Sequence, residues 1–168
     1  LMGYYNMIFQ YGENKFLRKC KISGVNGLIV VDLPWPENRK FASKCKKRSI
    51  FFIQLLSPTT TKNRLKKIIK DSHEMIYFIS MLSTTVGKLK VSPKKILFNY
   101  NKIKKINSKK NVVIGFGITE KTIKPLKKAD GLVVGSAICR EITNSIKKRQ
   151  NPVTNVYNVV NSLKKKIK

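Results

Sequence analysis

The sequence predicts an α/β fold in which six parallel strands alternate with helices, as a single domain over residues 1–168. Short runs of branched and aromatic residues alternate with stretches whose apolar residues recur at helical spacing, from one end of the chain to the other. The strand runs are almost continuously apolar, the pattern of parallel strands covered on both faces. Glycines stand where two of these runs give way to helical stretches.

Leu1–Tyr5 is the first expected strand, followed by a helical stripe of Phe16, Leu17 and Cys20. Leu28–Val31 is the second, with Phe41, Ala42 and Cys45 on the helix behind it. Ser49–Gln54 precedes the stripe Leu65, Ile68 and Ile69, and Met75–Ser80 precedes Ile96, Leu97, Tyr100 and Ile103. Ser92-Pro93 reads as the N-cap and first-turn proline of that fourth helix. Val112–Phe116 and Leu132–Val134 complete the strands. Pro125 sits inside the intervening helix or begins it late. A last amphipathic helix opens after Asn151-Pro152 and carries Val156, Val159, Val160 and Leu163. Six such units form either an open doubly wound sheet or most of a closed eight-stranded barrel.

Lys and Arg number 36 against 8 Asp and Glu, a formal charge of +28, yet 42% of the residues are hydrophobic, which excludes a disordered chain. Lysine supplies 30 of the 36 basic residues and is spread over nearly every helix, whereas base and phosphate recognition favours the arginine fork. No specific nucleic-acid partner is expected. No apolar run approaches the roughly 20 residues of a membrane span, and Leu1-Met2-Gly3-Tyr4-Tyr5 lacks the marks of a secretory signal, so a cytoplasmic location is expected. Cys20, Cys45 and Cys139 are odd in number and far apart, as for reduced core thiols. His73 is the lone histidine, so neither a His-based metal site nor a Ser-His-Asp triad is expected.

Gly115-Phe116-Gly117-Ile118-Thr119 and Gly135-Ser136-Ala137-Ile138 carry the chemistry. Glycine at a strand-to-helix turn lets backbone N–H groups approach an anion, and the following helix N-terminus adds partial positive charge. Two such turns after consecutive strands match the phosphate site that many (β/α)8 barrels build after strands seven and eight. A dinucleotide fingerprint fits less well, because Glu120 stands where its third glycine belongs. Among the eight acids, Glu13, Glu37, Glu120 and Glu141 lie in or near first helical turns, and Asp130 precedes its strand. Only Asp32 closes a strand on the ligand side, too few for a paired-carboxylate mechanism.

Several motifs in one order resemble the tryptophan synthase alpha subunit. Gly24–Pro34 is similar to its fourth-strand signature, and Met2-Gly3-Tyr4-Tyr5-Asn6 with Tyr11-Gly12 to its third-strand segment. Ser57-Pro58-Thr59-Thr60-Thr61, Tyr77-Phe78-Ile79-Ser80 and the two glycine turns follow in register over essentially the whole chain. The resemblance implies a (β/α)8 TIM barrel lacking its first two βα units, with retro-aldol cleavage of indole-3-glycerol phosphate to indole and glyceraldehyde 3-phosphate. It further implies no cofactor in this subunit, and a beta subunit carrying pyridoxal phosphate in an alpha2-beta2 heterotetramer. By position, Gly115, Phe116, Gly117, Gly135 and Ser136 would bind the substrate phosphate. Tyr77 would face the catalytic carboxylate, Thr85 would lie on the mobile sixth loop, and Asp32 would take part in signalling between subunits.

The sequence departs from the family twice. The family's catalytic glutamate and indole-binding aspartate belong to the second strand and the loop after it, before Leu1, so an inactive fragment of a longer product is expected. Val86 replaces a hinge glycine of the sixth loop. Another phosphate-binding barrel, an isomerase or epimerase, would share the glycine turns but not Gly27–Pro34 or Ser57–Thr61. A fragment that only docks on the beta subunit would share all of these motifs without the activity.

Overall fold

In a computed structural model, residues 1–80, 92–115, 118 and 120–167 are described. The chain runs β1 (Met2–Gly3), α1 (Tyr5–Tyr11), α2 (Glu13–Ile22), β2 (Gly27–Val30), α3 (Arg39–Lys46), β3 (Phe51–Phe52), β4 (Gln54–Leu56), α4 (Lys62–Asp71) and β5 (Met75–Ile79). It continues through α5 (Pro93–Ile106), β6 (Asn111–Gly115), α6 (Glu120–Ile123), β7 (Gly131–Val133), α7 (Ser136–Lys147) and α8 (Pro152–Lys165).

All described strand pairings are parallel, and the strands lie side by side in chain order, β1-β2-β3 and β4-β5-β6-β7. A doubly wound sheet reverses its order at a switch point; a barrel wall does not. β3 and β4 are one expected strand interrupted at Ile53: its first half pairs with β2 and its second with β5. Among the described residues the arc therefore has six strands, as the sequence predicts, one of them in two pieces.

Alternate residues settle the faces. Leu28, Val30, Ile50 and Phe52 pack with Leu17, Cys20, Phe41, Ala42 and Cys45 in one core. Leu56, Ile76, Phe78, Val112 and Ile114 pack with Leu65, Ile68, Ile69, Ile96, Tyr100 and Ile103 in a second. Each such side chain, when fully buried, contributes about 1.5–3 kcal/mol. The helices thus cover one face of the arc. The expectation that both faces are covered holds only in part: on the face away from the helices Tyr77 is buried, whereas Val133 is exposed.

The helix stripes fall where periodicity puts them, with Phe16 and Leu97 only partly buried, except in α8, where Leu163 is buried but Val156 and Val159 are half-buried and Val160 is exposed because little packs over that part of the helix. Ser92 accepts from the Lys95 N–H and caps α5, with Pro93 in its first turn. Asn151 caps α8 by accepting from Val153 and Thr154. Pro125 lies in a 3-10 turn, Lys124–Leu126, that ends α6.

Three expectations need correction. The first strand does not reach Tyr5, which opens α1, a helix the sequence reading missed: Asp32 Oδ1 accepts the Tyr5 N–H at 2.7 Å and draws the chain out of the sheet. Gly12, at φ 89°, separates α1 from α2 in a conformation that suits glycine alone. Cys139 is exposed on α7 instead of buried like Cys20 and Cys45. Glu141 lies mid-helix in α7 and not in its first turn.

Candidate functional site

The C-terminal ends of β5, β6 and β7 sit side by side, because Ile79 pairs with Gly115 and Gly115 with Val133. The chain leaving Gly115 and the turn at Gly135 therefore start from one end of neighbouring strands. Gly135 is the N-cap residue of α7, with open space where a Cβ would stand, and Ser136 is the exposed first residue of the helix. The Gly135 carbonyl accepts from Ile138 at 2.9 Å and Cys139 at 3.1 Å. The amides of Ser136 and Ala137 precede any intrahelical acceptor and point out of the helix start, where its dipole favours an anion.

Gly115 is required by contact and not by conformation. A Cβ there would lie 1.9 Å from Tyr77 Oη and 2.2 Å from its Cζ. The Tyr77 phenol thus lies directly on the Gly115 backbone, and burial pushes its pKa up, so it stays a neutral hydroxyl. Tyr77 rises from the face of β5 opposite the helix-packed Ile76 and Phe78. Tyr77 and Gly115 of the first glycine turn, both expected at the site, are in contact.

Ser80 is a residue the sequence reading quoted only within a motif. It is fully buried, and its N–H and Oγ both donate to the Gly115 carbonyl, at 3.1 and 2.8 Å. It pins the end of β5 to the end of β6 just before the glycine turn. A small hydroxyl closing an otherwise apolar strand was the available signal.

Asp32 also stands at the C-terminal end, after β2, but on the other half of the arc. Its contact with Tyr5 makes it the partner of the α1 N-terminus, which has no side-chain cap of its own. Thr85, Phe116 and Gly117 lie outside the described residues.

Three of the other acids are engaged elsewhere. Glu13 holds Lys44 and the Tyr5 hydroxyl, which in turn pushes the Tyr5 pKa to about 12. Asp71 accepts from Trp35 Nε1 at 2.8 Å and pairs with Arg39. Asp130 accepts from the Val112 N–H at 2.8 Å and from Lys104 at 2.9 Å, at the N-terminal end of β6. Among the described residues no group of His, Cys, Asp and Glu is arranged to hold a metal ion, and no helix is long and apolar enough to cross a membrane.

A sequence model of the family described as tryptophan synthase alpha chain matches residues 1–168. The tryptophan synthase alpha chain of Pelagibacter ubique (strain HTCC1062) is 74% identical over 167 residues, 99% of this chain and 63% of that one. Among solved structures, the tryptophan synthase alpha chain from Legionella pneumophila subsp. pneumophila superposes with a TM-score of 0.85 at 29% identity, covering 99% of this chain and 61% of the other. A chain of the tryptophan synthase complex from Pyrococcus furiosus gives 0.80 at 30% identity, covering 97% and 64%. The chain thus spans less than two thirds of the length of these relatives. The shared architecture is an incomplete (β/α)8 barrel.

Proposed function

The chain belongs to the family of tryptophan synthase alpha chains, and from that premise we propose that it binds indole-3-glycerol phosphate. The reaction served is its cleavage to indole and glyceraldehyde 3-phosphate, a lyase step of tryptophan biosynthesis. The observation that carries the reading is the Gly115–Val133 pairing, which sends both glycine turns off one end of adjacent strands. Gly115, Phe116 and Gly117, and Gly135 and Ser136 at the start of α7, hold the phosphate through backbone amides. Tyr77, a neutral hydroxyl on Gly115, borders the rest of the substrate, and Thr85 belongs to the loop that closes over it.

Binding and cleavage separate in these 168 residues. Glu13, Asp32, Asp71 and Asp130 each already accept a hydrogen bond on the carboxylate within the fold, which leaves none of the four free to protonate an indole ring. The chain binds the ester without releasing indole at an enzymatic rate. Its partner is a beta subunit, which holds the pyridoxal phosphate that this subunit does not need, in an alpha2-beta2 heterotetramer in the cytoplasm. Asp32 and α1 belong to that contact, since Tyr4, Met7 and Phe9 stand exposed beside the Asp32-capped helix start.

Calorimetric titration with indole-3-glycerol phosphate tests the reading. Saturable binding is expected, weakened at least about tenfold by Gly135→Asp, which sets a carboxylate against the anion. Heat that does not saturate, or equal affinity in the variant, overturns it.

A further inference from the structure

A cavity lies at the opposite end of the strands from the glycine turns. It occupies about 700 Å3 between α3 and the turn that joins α4 to β5, with β3 as its floor. Well-packed interiors hold few voids larger than a water molecule, whereas small-molecule sites span roughly 300–1,000 Å3. The gap falls where the two hydrophobic cores meet and the split strand changes sheets.

Its lining is basic. Arg39, Lys46, Lys70 and Lys110 face two acids, Asp71 and Glu74. Asp71 is already taken by Arg39 and Trp35. Lys110 is turned onto the Ser72 and His73 carbonyls, at 2.7 and 2.6 Å. Lys46 and Lys70 have no ion pair among the described residues. His73 lines the same cleft, and its Nδ1 accepts the Phe52 N–H at 2.8 Å. An imidazole that accepts at Nδ1 carries its neutral-form proton on Nε2, and that N–H finds no acceptor among the described residues. The exposed Phe51 ring lies edge-on to His73 and gives the site an apolar wall.

We infer that this cleft is a second ligand site, for a phosphate monoester with an apolar body: the phosphate on Lys46, Lys70 and His73 Nε2–H, the body against Phe51. Burial and the neighbouring Lys46 and Lys110 hold His73 below its ordinary pKa; Arg39, Lys70, Asp71 and Glu74 are the other charges lining the cleft. A phosphate dianion that accepts from His73 Nε2–H favours the charged imidazole and raises the pKa against that depression, so binding is read at the histidine itself.

His73 is the only histidine of the chain, so one imidazole resonance reports the site. The full chain is titrated over pH by NMR with and without phenyl phosphate. A saturable rise of the His73 midpoint by about one pH unit is expected. Lys46→Glu and Lys70→Glu should each weaken that response about fivefold or more. Gly135→Asp, at the far end of the barrel, should leave it intact, which separates this site from the glycine turns. The inference is overturned if sodium chloride at matched ionic strength moves His73 as far, if both lysine variants respond like the parent, or if Gly135→Asp abolishes the response.

Discussion

Gly115→Ala is the most incisive single change in this fold. The added Cβ would stand 1.9 Å from Tyr77 Oη, 2.2 Å from Cζ and 2.5 Å from Cε1, against the 3.4 Å at which ordinary contact begins. Tyr77 is 6% exposed, so its ring has little room to swing aside. The Gly115 carbonyl is also held by both Ser80 donors, so the backbone cannot retreat without breaking them. Overpacking of this kind costs about 1–3 kcal/mol or more, and we expect about 3 kcal/mol in urea unfolding, with phosphate-ester binding weakened as well. A double-mutant cycle isolates the cause. In a Tyr77→Ala background, itself destabilised by about 3–5 kcal/mol, the added penalty of Gly115→Ala should nearly vanish, a coupling of about 2 kcal/mol or more. Tyr77→Phe should not rescue, since Cζ and Cε1 remain. Equal penalties in all three backgrounds would refute the reasoning.

Four further outcomes follow from the same structure. Under native conditions a thiol reagent should label Cys139 alone, with Cys20 and Cys45 added only after unfolding; burial, Cys20 and Glu13 push the Cys45 thiol to about 12, and peptide mass spectrometry reads the sites. Asn38→Leu strands buried Gln54, whose Oε1 accepts from Asn38 Nδ2 at 2.8 Å, and should cost about 1–3 kcal/mol in urea unfolding. Burial raises the Asp130 pKa, but Lys104, the Val112 N–H and Tyr100 outweigh it and hold the carboxyl below its ordinary value. Its contribution is therefore complete above the ordinary aspartate pKa of about 4 and is lost as pH falls through the folded value, so Asp130→Asn should flatten that part of a stability–pH curve. Ser92→Ala removes the α5 cap and should lower stability by about 1 kcal/mol, measured by thermal unfolding.

Much of this arrangement was legible because burial follows periodicity. The stripes Phe41, Ala42, Cys45 and Leu65, Ile68, Ile69 could be read from helical spacing alone, since a helix on a sheet must turn one face inward. The caps at Ser92 and Asn151 announce themselves locally. What was not legible depends on distant partners. Nothing around Tyr5 shows that Asp32 will draw it from the sheet into α1. Cys139, like the buried thiols, sits in a stretch with apolar residues at helical spacing, and only the packing of α7 decides its exposure. The contact of Tyr77 with Gly115 joins residues on neighbouring strands, a matter of register that one-dimensional spacing does not contain. The split at Ile53 likewise reflects which neighbour each half of a strand pairs with.

The backbone amides give the most direct test of the phosphate site. In a 15N-labelled chain titrated with indole-3-glycerol phosphate, the Gly115, Gly135, Ser136 and Ala137 resonances should shift together along one saturation curve, and Gly135→Asp should remove that curve. If those amides stay still while the rest of the chain reports binding, the phosphate is held elsewhere and the glycine turns are only turns.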